Sequence, residues 1–250
     1  MKTFKEFITE AKKFNGYTDV RLGFFRTEQK KSINELKKPD PWKKELTPEQ
    51  KEHAEKVEKL HNSLSSHYKY NDSHIETIKK YTGGGTNRHE PNGSEILNKE
   101  LHEKRGKLGN SSLNEFKTHV DKLVKHHKTP HDMHVYTGVA EHHEITKMAK
   151  DGNDNIKLHH HGFTSTSINK KVAEQFAHQN LSRHIIKIHV PKGHHGAYVS
   201  HHSKNGYEKE FILPRGTRLH VHPKPTIINN DPYGAKSGEF HVWHAKIVKE

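Results

Sequence analysis

Hydrophobic and polar positions divide the chain into a helical first part and a strand-rich second part. Helical spacing begins after Thr47-Pro48, a cap and first-turn pair, and continues through Val57, Leu60 and Leu64 on one side. The same recurrence of apolar residues predicts further helices over residues 73–81, 94–104, 111–127 and 170–178. The helix over 111–127 has the clearest apolar side, because large apolar side chains recur through its whole length.

After Pro130 the pattern changes to short β-type runs that are separated by turn signals. These runs predict strands over residues 133–136, 184–190, 197–200, 207–213, 218–221 and 240–248. Pro191-Lys192-Gly193 and Pro214-Arg215-Gly216 are typical of the turns between them. Helices followed by strands indicate an α+β domain over residues 47–250, in which a helical part (47–128) packs on a strand-rich core (130–250).

The first 46 residues are expected to lie outside that domain. Phe4, Phe7 and Ile8 form one apolar stripe on a helix of about ten residues, which is too short to fold in water without a partner. Residues 11–46 are rich in Lys, Asn, Gly and Pro and show weak periodicity. We interpret them as a basic linker or loosely attached arm.

Composition adds a strong positive charge to this picture. The 43 Lys and Arg residues exceed the 30 Asp and Glu residues, giving a net charge of +13, and 27 His residues add to it at low pH. Such a chain is attracted to polyanions, although an ordinary basic protein has the same composition. The absence of cysteine excludes disulfides and thiol nucleophiles. No apolar run has the length of a membrane span, and the N-terminus lacks the apolar core of a secretory signal.

Glu208 and Glu210 are the first candidates for chemistry. If both lie on the strand predicted over 207–213, they share a face and their Cα atoms lie about 6.6 Å apart. One carboxylate could then stabilise positive charge on a sugar ring while the other orients or deprotonates a nucleophile. Taken alone, Glu208-Lys209-Glu210 is also typical of an exposed strand face with alternating charge.

A second candidate segment, Ser165-Thr166-Ser167, ends a short β-type run before the helix over 170–178. Its hydroxyl groups could cap that helix or bind a polar ligand. Histidine runs, of which residues 159–161 are the longest, have no ordered ligand spacing and no cysteine beside them. We therefore interpret them as solvated polar loops and predict no metal site.

Together with Tyr136-Thr137-Gly138, the Ser-Thr-Ser and Glu-Lys-Glu segments resemble, in their order along the chain and in their residues, the bacterial and phage mono-ADP-ribosyltransferases of the Arg-Ser-Glu class. That family has an Arg on its first core strand, a Ser-Thr-Ser strand and a Glu-x-Glu strand. The resemblance covers roughly residues 70–222. It includes the supporting phrases Tyr81-Thr82-Gly83, Ile96-Leu97-Asn98, Val190-Pro191-Lys192-Gly193 and the seven residues from Phe211 to Thr217. It implies helices packed on a split β-sheet core.

The resemblance also implies roles for single residues. Ser165 would hold the nicotinamide-ribose part of NAD, with Thr166 and Ser167 shaping its strand. Glu210 would be the catalytic carboxylate, and Glu208 would position the guanidinium of an acceptor arginine. Tyr136, Thr137 and Gly138 would form the NAD-binding segment of the first strand. NAD is the implied substrate, and no metal is required.

One position departs from the family's pattern. Thr137 stands where the family has its NAD-binding Arg. A Thr hydroxyl cannot replace the two charged hydrogen bonds of a guanidinium, so NAD binding is expected to weaken about tenfold or more. Arg88, Arg105 or a Lys could supply the missing charge.

The N-terminus carries a second resemblance, to the capsid-targeting peptide of internal head proteins in T-even-type phages. In that group a protease cuts after a Glu that follows an Ile/Leu-x pair, which corresponds here to Ile8-Thr9-Glu10 followed by Ala11. This resemblance implies packaging in the virion, injection, and modification of host proteins in the host cytoplasm. An ordinary amphipathic helix is the alternative for the peptide. For the whole chain, the alternative is a weak or inactive transferase-fold head protein that binds DNA or a host partner.

Overall fold

The computed structural model describes residues 47–83, 93–139, 145, 156–179, 182–229 and 239–248. Within these ranges the helices are α1 (Pro48–His67), α2 (Asp72–Thr82), α3 (Gly93–Glu103), α4 (Ser111–His126) and α5 (Lys170–Gln179). The helices predicted from residue 47 onward are therefore confirmed. None of the described helices is long and apolar enough to cross a membrane. The proposed targeting peptide, with Glu10 and Ala11, and the arm over 11–46 lie outside the described residues.

Helix α1 begins where its cap residues predict. The Thr47 side chain accepts a hydrogen bond from the Gln50 amide at 3.3 Å, and the Gln50 side chain accepts one from the Thr47 amide at 3.0 Å. Pro48 follows the cap, where a missing N–H costs nothing. This reciprocal capping box fixes the start of a 20-residue helix that later contacts the candidate site.

The described strands form one mixed sheet, and together with the helices they confirm the α+β class. The order across the sheet is β2-β7-β9-β4-β1-β3-β6-β5. The remaining strand, β8, pairs with the first half of β9, while β7 pairs with its last residues. Only β4 and β9 run parallel among these pairs. The strands are β1 (Met133–Val139), β2 (Ile156–His159), β3 (Thr164–Ser167), β4 (His184–Val190), β5 (Ala197–Tyr198), β6 (Glu210–Leu213), β7 (Arg218–Val221), β8 (Thr226–Asn229) and β9 (Glu239–Ile247).

Several strand predictions need correction. The strand expected from residue 207 begins at Glu210, and the one expected over 197–200 is only Ala197–Tyr198. The short strands β2 and β8 were not predicted. His159 belongs to β2, so the longest histidine run is not wholly a loop.

Two apolar clusters pack the helices on the sheet. In the larger one, Val57 and Leu64 of α1 contact a layer of strand residues that includes Val135, Ile186 and Trp243. In the second, α2, α3 and α4 pack against residues of and near β3, β5 and β6. A third and smaller cluster joins α5 to β4 and β9. The helices thus enclose the strands on which the candidate site lies.

Candidate active site

The two candidate carboxylates lie on a tight turn and not on one strand. Gly206–Glu208 forms a short 3-10 helix, Lys209 has left-handed backbone angles (φ 47°, ψ 49°), and Glu210 is the first residue of β6. The alternation expected along a strand is therefore wrong for this pair. Both carboxyls nevertheless line the same cavity, because the turn folds Glu208 back toward Glu210.

Neighbouring segments hold this turn through hydrogen bonds to its carbonyl groups. Ser167 Oγ donates to the Glu208 carbonyl at 2.6 Å, and Ser200 Oγ donates to the Gly206 carbonyl at 2.7 Å. Backbone amides from the segments after β3 and β5 donate to the next two carbonyls of the turn. Because the turn is fixed from two sides, its carboxyl groups are preorganised for a ligand.

Burial raises the pKa of both carboxyls, so they are weaker acids than an exposed glutamate. The pKa of Glu210 is raised to about 7, chiefly by burial, with a hydrogen bond from Ser165 opposing the rise and the negative charge of Glu208 adding to it. Burial also raises the pKa of Glu208 to about 7, against a hydrogen bond from Tyr207. A pair that titrates near neutral pH can stabilise a cation with one member and accept a proton with the other.

Ser165 is oriented by a chain of partly buried hydrogen bonds. Asn98 Nδ2 donates to Tyr81 Oη at 3.2 Å, and Tyr81 Oη lies 3.3 Å from Ser165 Oγ. Either hydroxyl can donate in the Tyr81–Ser165 contact. Tyr81 is the donor when Ser165 gives its own proton to the Glu210 carboxylate, a hydrogen bond that lowers the pKa of Glu210. Asn98 is itself fixed by the Phe163 amide, which donates to Asn98 Oδ1 at 2.8 Å.

The other two hydroxyls of the Ser-Thr-Ser strand are engaged within the protein. Thr166 Oγ1 donates to the Phe211 carbonyl at 2.6 Å. Ser167 Oγ accepts from the Asn169 amide at 2.9 Å while it donates to the turn. At the start of α5, the Asn169 side chain accepts from the Lys171 amide at 3.1 Å, so Asn169 rather than the Ser-Thr-Ser segment caps this helix. Thr166 and Ser167 therefore shape the cavity wall.

Gly138 lets α5 approach β1 closely enough to form another wall. A Cβ at this position would lie 2.4 Å from the Ala173 carbonyl oxygen and 2.5 Å from the Ala177 amide nitrogen. Both are backbone atoms of α5, so they cannot move aside as a side chain could. Tyr136 pairs with Ser167 across the β1–β3 ladder, which brings the first-strand segment against the Ser-Thr-Ser segment.

A cavity of about 210 Å³ lies where these elements meet. Every residue that the sequence singled out for NAD chemistry lines it, and α5 adds apolar side chains that sequence reasoning did not assign. The lining consists of Tyr136, Thr137, Gly138, Ser165, Thr166, Ser167, Val172, Ala173, Phe176, Glu208 and Glu210. Polar groups at one side and aromatic or aliphatic groups at the other suit a ligand with a sugar and a flat ring.

Sequence reasoning also gave no role to Tyr81 and Asn98. Both occur in sequence segments that carried the family resemblance. Helical periodicity, however, could not show that Asn98 contacts Tyr81 and that Tyr81 contacts Ser165. Two arginines were considered as substitutes for the missing Arg. Arg105 is exposed after the end of α3 and does not line the cavity, and Arg88 lies outside the described residues. The described lining contains no Arg or Lys, so Thr137 remains uncompensated there.

The described residues contain no group of three or more His, Cys, Asp or Glu side chains that could hold a metal ion. His134, which lies on β1 beside the candidate segment, is exposed and does not line the cavity.

Known proteins resemble this chain in sequence and in fold. The family model of the ADP-ribosyltransferase exoenzymes matches residues 34–233. The chain is 34% identical over 105 residues to the NAD(+)–arginine ADP-ribosyltransferase EFV of Enterococcus faecalis. That alignment covers 41% of this chain and only 20% of the relative, so the two proteins share a segment and not a whole architecture.

Solved structures show the same fold. Plx2a, an ADP-ribosyltransferase toxin from Paenibacillus larvae, matches with a TM-score of 0.58 at 19% identity, over 80% of this chain and 96% of its own. C3larvin toxin from the same organism matches with a TM-score of 0.56 at 23% identity, over 77% and 94%. C3stau2 from S. aureus, solved with NAD, matches with a TM-score of 0.58 at 19% identity, over 78% and 95%. On the family match over most of its length, the chain belongs to the ADP-ribosyltransferase exoenzyme family.

Proposed function

We propose that the protein is a mono-ADP-ribosyltransferase that moves ADP-ribose from NAD to an arginine side chain of an acceptor protein. The observation that carries the proposal is the convergence of Ser165, Glu208 and Glu210 on one cavity. The similar segment of the Enterococcus protein, whose name states arginine as acceptor, supports the choice of acceptor. The similar fold of a structure solved with NAD supports the choice of donor.

The lining residues fit the nicotinamide-ribose half of NAD. Phe176 of α5 is 41% exposed although it is a large apolar side chain, and Tyr136 and Val172 lie near it in the lining. These surfaces offer contacts for a flat ring, while the Ser165 hydroxyl offers a hydrogen bond to a sugar. NAD supplies a ribose carbon whose bond to nicotinamide is already activated by the positive charge of the ring.

In the proposed transfer, Glu210 stabilises the positive charge that develops on the ribose as nicotinamide leaves. A fully buried carboxylate is well placed for this, because low local dielectric strengthens its interaction with a cation. Glu208 lies closer to solvent, where an acceptor guanidinium arrives. It positions that group and accepts its proton as the new bond to the ribose forms.

Thr137 supports a second candidate, a transferase-fold protein with little or no activity. The cavity lining carries the Thr137 hydroxyl where the family has its NAD-binding Arg, and a hydroxyl cannot form the charged hydrogen bonds of a guanidinium. A Thr137→Arg variant separates the two candidates. If only the variant modifies proteins, the natural chain is a non-enzymatic member of the family.

For the biological setting, we propose packaging in a phage head and delivery to a host cell, where host proteins are the acceptors. The proposal rests on Phe4, Phe7 and Ile8 and on the Glu10-Ala11 pair. Mass spectrometry of the protein recovered from virions tests it. An N-terminus at Ala11 is the expected result, and a chain that is absent from virions contradicts it.

The activity itself is tested with labelled NAD and a bacterial lysate. Wild-type protein should label proteins, and hydroxylamine should release the label as expected for an arginine linkage. Glu210→Ala should abolish labelling, while Glu115→Ala on the exposed side of α4 serves as a matched control. Equal labelling by wild type and Glu210→Ala would contradict the proposal.

A further inference from the structure

Five adjacent strands of the sheet carry one continuous row of basic side chains. Cross-strand pairing places Lys157 of β2 beside His220 of β7, His220 beside Lys246 of β9, Lys246 beside His189 of β4, and His189 beside His134 of β1. At a strand spacing of about 4.8 Å, the row is about 19 Å long. We call these five residues the basic row.

The basic row faces away from the core. Along each of these strands the neighbouring residues, such as Leu158, Leu219 and Ala245, point the other way into the larger apolar cluster. Lys157, Lys246 and His134 are exposed, and His189 and His220 are half-buried. The row is therefore a surface in the described structure and does not belong to the interior.

More cations flank the basic row on both sides. His159 and Arg218 form a cross-strand pair on one side of it, and Lys187 and His244 form another on the other side. Strands β1, β2, β4 and β7 contain no acidic residue, and the only one of β9, Glu239, lies at its far end. No ion pair among the described residues includes a member of the row.

The Lys and Arg residues gathered on this face repel one another, and each histidine that becomes protonated would add a like charge directly opposite a neighbour. A bound anion would offset that cost. The repulsion is visible at His134, whose pKa is lowered first by burial and then by the positive charges of Lys187, His189 and His244. An extended polyanion would relieve this repulsion along the whole row.

We propose that the basic row binds the phosphate backbone of duplex nucleic acid. A linear arrangement of cations matches a linear arrangement of phosphates. A membrane fits less well, since three of the four large exposed apolar side chains in the described ranges, Phe176, Tyr207 and Ile227, lie off the row, and only Val248 lies beside it, next to Arg218. A single strand fits less well too, because the row lacks the large aromatic side chains on which unpaired bases stack.

This binding surface is separate from the candidate active site and does not depend on the proposed activity. His134 lies three residues before Thr137 on β1, about 10 Å along the strand, and no residue of the row lines the cavity. Glu210→Gln should therefore leave nucleic-acid binding unchanged. Loss of binding and loss of transfer can thus be observed independently.

Histidine makes the proposed surface sensitive to pH. Burial and the neighbouring positive charges hold the pKa of His134 below its ordinary value, so this residue gains charge only in acidic solution and affinity for the duplex should rise as the pH falls. The groups that face His134 are Lys187, His189 and His244, and none of them is acidic. Among the described residues, no carboxylate acts on His134 to compensate the added charge.

The test measures binding of a fluorescent duplex of about 20 base pairs to the full chain by anisotropy, between about 50 and 200 mM salt. The triple variant Lys157→Gln, Arg218→Gln and Lys246→Gln removes three exposed cations from the basic row and its flank. The control, Lys107→Gln, Lys122→Gln and Lys125→Gln, removes three exposed cations from α4 and the segment before it. Both variants have the same net charge and should unfold at the wild-type temperature.

The row variant should lose at least about tenfold in affinity, and its slope of log K against log salt should fall by about 2 to 3. The control should stay within about twofold of wild type. Equal losses in both variants would overturn the proposal. Phosphatidylserine vesicles serve as a competing partner. If they bind as tightly as the duplex and show the same sensitivity to the row variant, the partner is a lipid surface and the proposal is wrong.

Discussion

Lys209 donates a hydrogen bond to Glu58 at 2.6 Å, and this bond joins α1 to the residue between the two site carboxyls. The Lys209 side chain is only 18% exposed, so its stem is packed and its ammonium group is directed toward α1. Burial, and not a nearby cation, sets the high pKa of Glu208 and Glu210. The pair with Glu58 thus holds a positive charge away from those carboxyls.

Replacing Glu58 by Gln should shift the pH dependence of transfer to lower pH. Without its partner, the Lys209 ammonium can approach Glu208 and stabilise its ionised form. The thermal midpoint should change little, because the Glu58 carboxylate is exposed. The measurement is the rate of transfer as a function of pH.

Glu52→Gln is the matched control, since Glu52 forms an equally short ion pair with Lys56 on α1 at 2.6 Å. Adding Lys209→Gln to Glu58→Gln should return the midpoint toward that of wild type, because the released charge is then gone. The same pH profile for the Glu58 and Glu52 variants would show that the ion pair does not position this charge.

Glu210→Gln should stabilise the fold at high pH and not at low pH. The pKa of Glu210 is raised from 4.5 to about 7, so the folded state binds this proton more tightly than the unfolded state. Its contribution to stability is complete below the unfolded pKa and is lost as the pH rises through about 7. At pH 8 the variant, which stays neutral, should be more stable than wild type by roughly 2–3 kcal/mol.

Urea unfolding at about pH 4.5 and pH 8 measures this difference. The two proteins should have similar free energies of unfolding at the lower pH. A variant that is less stable than wild type at pH 8 would mean that the carboxylate is stabilised in the folded protein, against its burial.

Tyr81→Phe should impair NAD binding as well as stability. It removes the hydroxyl that joins Asn98 to Ser165 and leaves the half-buried Asn98 amide without this acceptor, at a cost of about 1 kcal/mol. Tyr70→Phe is the control, because it removes a similar bond, from Tyr70 Oη to the Tyr198 carbonyl at 3.1 Å, outside the cavity. Both variants should lose stability, but only Tyr81→Phe should raise KM for NAD. An unchanged KM for NAD would show that the Tyr81 hydroxyl does not contribute to NAD binding.

Gly138→Ala should displace α5 from β1 and open the cavity. The added methyl group would lie within 2.5 Å of α5 backbone atoms, and overpacking of this kind costs typically about 1–3 kcal/mol. We expect a lower unfolding midpoint and a higher KM for NAD. Gly109→Ala is the control, since a Cβ there meets nothing within 4 Å. If both variants behave like wild type, the close approach of α5 and β1 does not shape the site.

The helices and the long strands could be predicted from the sequence because they carry enough periodic residues. The helix predicted over 111–127 is observed as Ser111–His126, and the strand predicted over 184–190 is β4 with the same ends. β2 and β8 each supply only four residues. Pairing with β7 and β9 stabilises them, and no local pattern reveals such partners.

The site was predicted in its membership but not in its geometry. Ser165, Glu208 and Glu210 do line one cavity, yet Glu208 reaches it through a 3-10 turn and a left-handed Lys209. A non-glycine residue with positive φ depends on tertiary contacts, which here include the bond to Glu58. The contribution of Tyr81 arises in the same way, because its hydroxyl meets Ser165 only after α2 packs on the sheet.

The most direct test of the proposed activity compares NAD hydrolysis with transfer to agmatine, a small guanidine acceptor, for wild type, Glu208→Gln and Glu210→Gln. Wild type should catalyse both reactions. Glu208→Gln should retain NAD hydrolysis and lose most transfer, because it positions only the acceptor, while Glu210→Gln should lose both. If the wild-type protein transfers nothing to agmatine or to lysate proteins, and Thr137→Arg does not restore transfer, the proposed activity is contradicted.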